Sequence, residues 1–215
     1  MLDAQNLEGS ERRAAELALV QKHTGARAVY ALDQVHGTRA VRIDSASDPF
    51  PFPQADALYS SESGVCLVVR TADCMPVYFV AAGERPVSGI IHAGWRGLAA
   101  GILSKTLRAV IAEMTAAGSP PQSVDLFLGP CISGDAYEVG RDVADHFEIV
   151  IETRERPHID LASNAELEIE RLEKEHGLPM RFLRDLTACT VKDNGRYYSH
   201  RKGDRGRNLN FLYLG

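Results

Sequence analysis

A chain of 215 residues has room for one substantial domain or two small ones. Its 45% hydrophobic and 25% charged residues describe a globular protein and exclude a disordered or fibrous one. The net charge of −5 provides no broad positive field for a nucleic-acid backbone. No stretch nears the roughly 18–20 continuous apolar residues that span a bilayer, so neither nucleic acid nor membrane is an expected partner.

The N-terminus, Met1-Leu2-Asp3-Ala4-Gln5, lacks the basic and apolar regions of a signal peptide. Cys66, Cys74, Cys131 and Cys189 are widely spaced and form no Cys-X-X-Cys pair. Together these features predict reduced thiols and a cytoplasmic protein.

In chain order, Glu11 to His23 reads as a helix ending near Gly25. Two apolar runs, Ala28–Leu32 and Ala40–Ile43, bracket the hydrophilic elbow Asp33-Gln34-Val35-His36-Gly37, which is expected to be a functional turn between strands. Asp48–Gln54 holds three prolines and is a loop, since proline lacks the ladder donor. Val65–Arg70, Pro76–Val80 and Val87–Ile91 have strand length. A helix over Leu98–Met114 follows, with Leu103, Leu107, Val110 and Met114 on one apolar face, and Gly118, Pro120 and Pro121 stop it. Val124–Leu128 is a further strand. A second long helix runs from about Asp160 to Glu175, with Leu161, Ala165, Ile169 and Leu172 inward and Gly177 closing it. Arg181 to Gly215 mixes short strands with the polar loop Tyr197–Asn208. Strands and helices alternate without βαβ regularity, which predicts one mixed α/β domain rather than a doubly wound parallel sheet.

Three reactive side chains sit just past or between strands: His36, Cys74 in Thr71-Ala72-Asp73-Cys74, and His92 in His92-Ala93-Gly94-Trp95-Arg96-Gly97. One thiolate and two imidazoles suit Zn²⁺ and leave a fourth position open, the arrangement of a catalytic site. A cysteine after a strand is most often a small buried hydrophobe, however, and two separated histidines are usually unrelated. Spacings of 38 and 18 residues leave both readings open. Arg96, at the expected start of the Leu98–Met114 helix, is placed to meet a phosphate. Trp95 can stack on a planar substrate, although a lone Trp is more often core. The loop from Tyr198 to Arg207 carries four cations in seven positions (Arg201, Lys202, Arg205, Arg207) and reads as a solvated turn or as further anion machinery. Cys131 is expected to be packed or pocket-lining.

Taken in order, Gln34-Val35-His36-Gly37, Ala55-Asp56-Ala57, Thr71-Ala72-Asp73-Cys74, His92-Ala93-Gly94-Trp95-Arg96-Gly97, Gly129-Pro130-Cys131-Ile132 with Tyr137-Glu138-Val139, and Tyr198-Ser199-His200-Arg201 resemble the bacterial laccase-domain family, also called multicopper polyphenol oxidoreductases or peptidoglycan editing factors. The resemblance runs from His36 onward. It implies an α+β domain over 1–215 with a four-layer α-β-β-α arrangement and two packed mixed sheets. It also implies a zinc site at His36, Cys74 and His92, which then double as the catalytic residues, with Trp95, Arg96 and Arg201 on substrate or phosphate. The implied activity is phosphorolysis of a purine nucleoside (adenosine, inosine, guanosine or methylthioadenosine) to base and ribose 1-phosphate, with adenosine deamination at the same site.

Three other readings compete. Copper in place of zinc would suit a polyphenol oxidase, but multicopper oxidases use many histidines, commonly in His-X-His pairs. Here there are seven histidines and no such pair, and Met75 adjoins Cys74, a poor position for an axial ligand. A thiol hydrolase with Cys74 as nucleophile and His92 as base could act on an amide in cell-wall precursor editing. A metal-binding scaffold would hold zinc without turnover. Family members usually begin with a strand and a Gly-Gly loop carrying an arginine. The segment from Met1 to Leu7 offers no counterpart, and Arg201-Lys202-Gly203-Asp204 is shifted from the usual paired-arginine form. Nothing in the sequence sets the oligomeric state.

Overall fold

The computed structural model describes residues 9–215; the segment read above for a signal peptide lies outside them. Helix α1 (Gly9–Thr24) leads into β1 (Ala28–Tyr30), β2 (Ala40–Ile43), β3 (Ala57–Ser60), β4 (Val65–Thr71), β5 (Met75–Ala82) and β6 (Val87–Ala93). Then come α2 (Trp95–Ala99), α3 (Ile102–Ala116), β7 (Ser123–Leu128), a 3₁₀ turn at Gly134–Ala136, α4 (Arg141–Ala144), the ribbon β8 (Val150–Ile151) and β9 (His158–Ile159), α5 (Leu161–His176), β10 (Met180–Leu183) and β11 (Asn208–Leu214).

Two mixed sheets form, as the resemblance implies. The larger runs β10-β7-β5-β6-β3-β2 and the smaller β1-β4-β11. In the small sheet β1 is parallel and β11 antiparallel to β4. In the large one the outer pairs β10–β7 and β2–β3 are parallel while the centre is antiparallel.

Side-chain alternation along β4 shows how the layers stack. Val65, Leu67 and Val69 join Leu58 and Ile90 of the large sheet in one buried cluster, whereas Cys66 and Val68 turn the other way to meet Leu17 and Val20 of α1. On the far face of the large sheet, Val77, Phe79 and Ile91 pack under Leu103 and Leu107 of α3 and Ala165 and Ile169 of α5. The order is therefore α1, small sheet, large sheet, α3 with α5. Burying both faces of β4, and one face of β5 fully and the other partly, explains why their sequences read as apolar runs rather than alternating ones.

The two long helices carry the faces read from their periodicity. Leu103, Leu107, Val110 and Met114 are all buried, as are Leu161, Ala165, Ile169 and Leu172. Asp160 caps α5 by accepting from the Ala162 and Ser163 amides, and Gly177 ends it in the left-handed region.

One expectation needs correction. The Leu98–Met114 helix is two helices, because Gly101 turns left-handed (φ 78°) between α2 and α3. Arg96 therefore belongs to a five-residue helix and does not stand at the start of the long one. The elbow at Asp33–Gly37 does lie between strands, β1 and β2, and because these belong to different sheets the chain crosses between layers there. Thr71-Ala72-Asp73-Cys74 is a second such crossing, from β4 in the small sheet to β5 in the large one. Both crossings meet at the seam between the sheets, and the candidate site lies there.

Candidate metal centre and its two cavities

The register of the large sheet brings distant residues to one edge. The β5–β6 hairpin pairs Met75 with Ala93 and Pro76 with His92, which sets Cys74, just before β5, beside Gly94, just past β6. Pairing of β3 with β6 sets Ala57 against Ile91, so Asp56 comes level with His92, whose amide donates to the Asp56 carbonyl at 2.7 Å. The interlayer elbow supplies His36.

One ligand atom from each of His36, Cys74 and His92 lies within 4.8 Å of the others. Cys74 Sγ is 3.8 Å from His36 Nε2, and the two imidazoles meet edge to face with centroids 4.8 Å apart. The expected trio is thus brought together in space. Burial is graded across it, with His92 buried, Cys74 partly exposed and His36 open to solvent.

Asp56 organises the trio. Its carboxylate is fully buried and accepts the His92 Nδ1 proton at 2.8 Å, which leaves Nε2 of that ring as the free ligand atom. The same carboxylate accepts the amides of His36 (3.0 Å) and Gly37 (2.6 Å). Those bonds hold the elbow while His36 adopts φ 58°, a left-handed conformation uncommon for a non-glycine residue. Burial would raise the Asp56 carboxyl, but the hydrogen bond from His92, the Gly37 and His36 amides and the His92 charge outweigh it and hold it below its ordinary value. Burial likewise opposes the Cys74 thiolate, and hydrogen bonds from His36 and His92 overcome it, drawing the thiol down to about 6. His92 moves upward: burial disfavours its charge, but Asp56 and Cys74 favour it more.

Gly94 completes the fit. A Cβ there would lie 2.7 Å from His36 Cδ2 and 3.1 Å from Cys74 Sγ, so only glycine lets this backbone approach the trio so closely. A soft thiolate, two imidazoles and a carboxylate orienting one of them suit zinc or a similar ion. Among the described residues this is the single group of three or more such ligands. Met75 is buried in the core under α3 and lines neither cavity beside the trio.

Two cavities flank the trio and share His36, Ala72, Cys74 and His200 in their walls. The smaller, of about 270 Å³, is lined by Trp95, Arg96, Ile132, Tyr137 and Arg201. Arg96 lies over the Trp95 ring at 4.4 Å and Arg201 over Tyr137 at 5.4 Å, so the expected Trp95, Arg96 and Arg201 do share one wall. The larger, of about 370 Å³, is lined by Arg13, Gln34, Arg70 and Arg207.

Asp73 joins the C-terminal loop to this seam. It holds φ 82° and accepts from Thr190 Oγ1 (2.6 Å), Ser199 Oγ (3.1 Å) and the Arg201 amide (2.7 Å). The basic loop is therefore divided: His200, Arg201 and Arg207 line cavities, while Lys202 and Arg205 face solvent. Cys131 is packed, its thiol pushed up to about 12 by burial.

Sequence reasoning named no role for Asp56, Asp73, Tyr137, His200, Arg13 or Arg70. The first four lie within the quoted motifs, and their positions there were the available signal. Arg13 and Arg70 carry none.

No helix among the described residues is long and apolar enough to cross a membrane. The chain matches the family described as multi-copper polyphenol oxidoreductase laccase over residues 4–215. Proteins named purine nucleoside phosphorylase are similar to it. One from Xylella fastidiosa is 33% identical over 86% of this chain and 71% of its own length, and one from Pseudomonas aeruginosa is 34% identical over 85% and 73%. A Neisseria meningitidis crystal structure superposes with a TM-score of 0.77 at 32% identity, covering 96% of this chain and 82% of that one. YlmD from Geobacillus stearothermophilus gives 0.74 at 27% identity, covering 99% and 81%. A match across nearly the whole chain, on the fold and motifs described, makes this protein a member of the multi-copper polyphenol oxidoreductase laccase family.

Proposed function

We propose that this chain is a zinc-dependent purine nucleoside phosphorylase with adenosine deamination as a second activity. The observation that carries the reading is the His36–Cys74–His92 trio, oriented by a buried carboxylate and open to a cavity on either side. The relatives' names supply the substrate class. His36, Cys74 and His92 would hold the metal, which supplies Lewis acidity when bound.

The chain's own residues do the rest. Trp95 and Tyr137 give the smaller cavity aromatic walls for a planar base, and Arg96 and Arg201 set polar heads beside them. In phosphorolysis the bond from the sugar's anomeric carbon to the purine nitrogen breaks, its electron pair leaving with the base. A phosphate oxygen bonds to that carbon, and the base takes up a proton. His200, in the wall common to both cavities, is placed to manage that proton. Asp56 keeps the His92 Nδ1 proton engaged throughout.

The test is metal analysis of the purified protein with product analysis on adenosine plus phosphate. Adenine with ribose 1-phosphate, or inosine, is expected and is lost in Cys74→Ala. Stoichiometric zinc without any nucleoside turnover refutes the enzyme reading and leaves a metal-binding scaffold. The low thiol pKa favours one second reading, a Cys74 nucleophile with a histidine base. It requires activity to survive metal removal and to end on Cys74 alkylation. Copper in the same ligands would instead give phenol oxidation.

A further inference from the structure

The larger cavity collects positive charge from three distant parts of the fold: Arg13 on α1, Arg70 near the end of β4, and Arg207 just before β11. Asp33 pairs with Arg13 at 3.3 Å and Glu16 with Arg70 at 2.9 Å, but Glu16 is shared with Arg12 at 3.2 Å. Arg207 donates only to the carbonyls of Arg205 and Gly206 and pairs with no carboxylate among the described residues. Cation therefore exceeds anion at this wall. The guanidiniums feel one another: burial and the charges of Arg13 and Arg207 press Arg70 below its ordinary value against the pull of Glu16. Like charges gathered in a recess repel, and the arrangement is relieved by an anion between them. Gln34 is fixed on the same wall, its side chain bonded to both the Arg70 amide (2.8 Å) and the Arg70 carbonyl (2.9 Å).

The smaller cavity differs in chemistry. Its arginines are held over the Trp95 and Tyr137 rings, 4.4 Å and 5.4 Å from the centroids, so this wall pairs each cation with an aromatic face suited to a planar base. We infer that the two cavities divide the substrates, with the co-substrate phosphate held by Arg70 and Arg207, assisted by Arg13, and the nucleoside taken from the Trp95 side. This rests on the phosphorylase reading and moves the phosphate away from Arg96. Phosphate then reaches the anomeric carbon from across the trio, opposite the departing base, its oxygen forming the new bond as the base leaves with the old pair.

The experiment measures inorganic phosphate binding by calorimetry, and the Michaelis constants for phosphate and adenosine, in wild type, Arg207→Met, Arg70→Met and Arg96→Met. Arg207 has no ion pair to lose, so its variant keeps the test open if Arg70→Met fails to fold. At least a tenfold weakening for phosphate is expected in Arg207→Met and Arg70→Met, with the adenosine constant within about twofold. Arg96→Met should leave phosphate binding alone and move the adenosine constant. Unchanged phosphate binding in Arg207→Met, its loss in Arg96→Met, or no phosphate binding by wild type overturns the assignment. So does adenosine 5′-phosphate binding through Arg207 where inorganic phosphate does not. Arginine-dependent phosphate binding without nucleoside cleavage keeps this site and removes the phosphorylase reading. Turnover with an unshifted phosphate constant in Arg207→Met does the reverse.

Discussion

Replacing Asp56 with Asn tests the organisation of the proposed metal centre. The substitution preserves shape but removes the charge and turns one acceptor into a donor. In the wild type, Oδ1 serves His92 Nδ1 and the His36 amide, and Oδ2 serves the Gly37 amide. One asparagine oxygen cannot serve both sides, so at least one buried donor faces an NH₂ group. Hydrogen bonds to a charged acceptor contribute about 1.5–3 kcal/mol each, and breaking a buried charged pair costs about 3–5 kcal/mol. At about 2–4 °C per kcal/mol for a chain of this size, melting should fall by about 10 °C.

The consequences for metal are separate. Without a carboxylate to hold the Nδ1 proton, the His92 tautomer is no longer fixed, and loss of such an orienting partner weakens metal binding about 10–100-fold. Competition against a chelator reads the affinity, and denaturant unfolding of the metal-free protein reads stability. The pH dependence supplies a sign. The Asp56 carboxyl lies below its ordinary 3.8 in the folded chain. Its contribution is therefore fully present above that value and lost as pH falls through the folded one. Asp56→Asn should flatten this acid limb. A variant unfolding within about 0.5 kcal/mol of wild type and binding zinc within about twofold would show that Asp56 does not organise the centre.

Gly94→Ala places a methyl group 2.7 Å from His36 Cδ2 and should weaken zinc at least tenfold while leaving the core strands folded; unchanged chelator competition would contradict the close approach. In metal-free protein, Cys74 alkylation should rise through about pH 6 and level off by neutrality, while Cys66 and Cys131, pushed up to about 11 and about 12, lag, as peptide mapping would show; a rise starting only above about pH 8 would be inconsistent with the imidazole contacts. Asp73→Asn should loosen the C-terminal loop, seen as faster amide exchange near Ser199 and Arg201 with β5 and β6 protected; no change there would mean the carboxylate does not tether it. Asp160→Ala should cost about 1 kcal/mol of stability by uncapping α5, and a neutral result would show that the Ala162 and Ser163 amides find other acceptors.

Much of the fold was legible where periodicity is strong. The apolar faces of α3 and α5 and the runs at β4, β5 and β6 are local patterns that survive into the structure. The break at Gly101 was missed because a glycine inside an apolar helical pattern reads as tolerated until its left-handed backbone is known. The short strand β3 was missed as well, since Tyr59 and Ser60 leave only Ala57 and Leu58 as an apolar run. At the site, His36, Cys74 and His92 were legible as reactive side chains beside strands. Asp56 was not assigned, because its role depends on β3 lying level with β6, a register no local pattern contains. The same holds for Arg13 and Arg70, which ordinary helix and strand sequences carry and only the stacked layers bring together.

Order of assembly follows from where these parts lie along the chain. The candidate metal ligands and their organising carboxylate fall within His36–His92, in the elbow before β2, just ahead of β3 and β5, and on β6, and contacts of lower sequence separation are favoured early in folding. The cavity walls instead need the C-terminal loop, which supplies His200 and Arg201 to the smaller cavity and His200 and Arg207 to the larger, and the larger also needs Arg13 of α1; that loop leads into β11, which pairs with β4 across more than half the sequence. The ligand trio should therefore come together before the cavity walls around it are complete. An ion held by the trio in that interval would have no walls to select what reaches it.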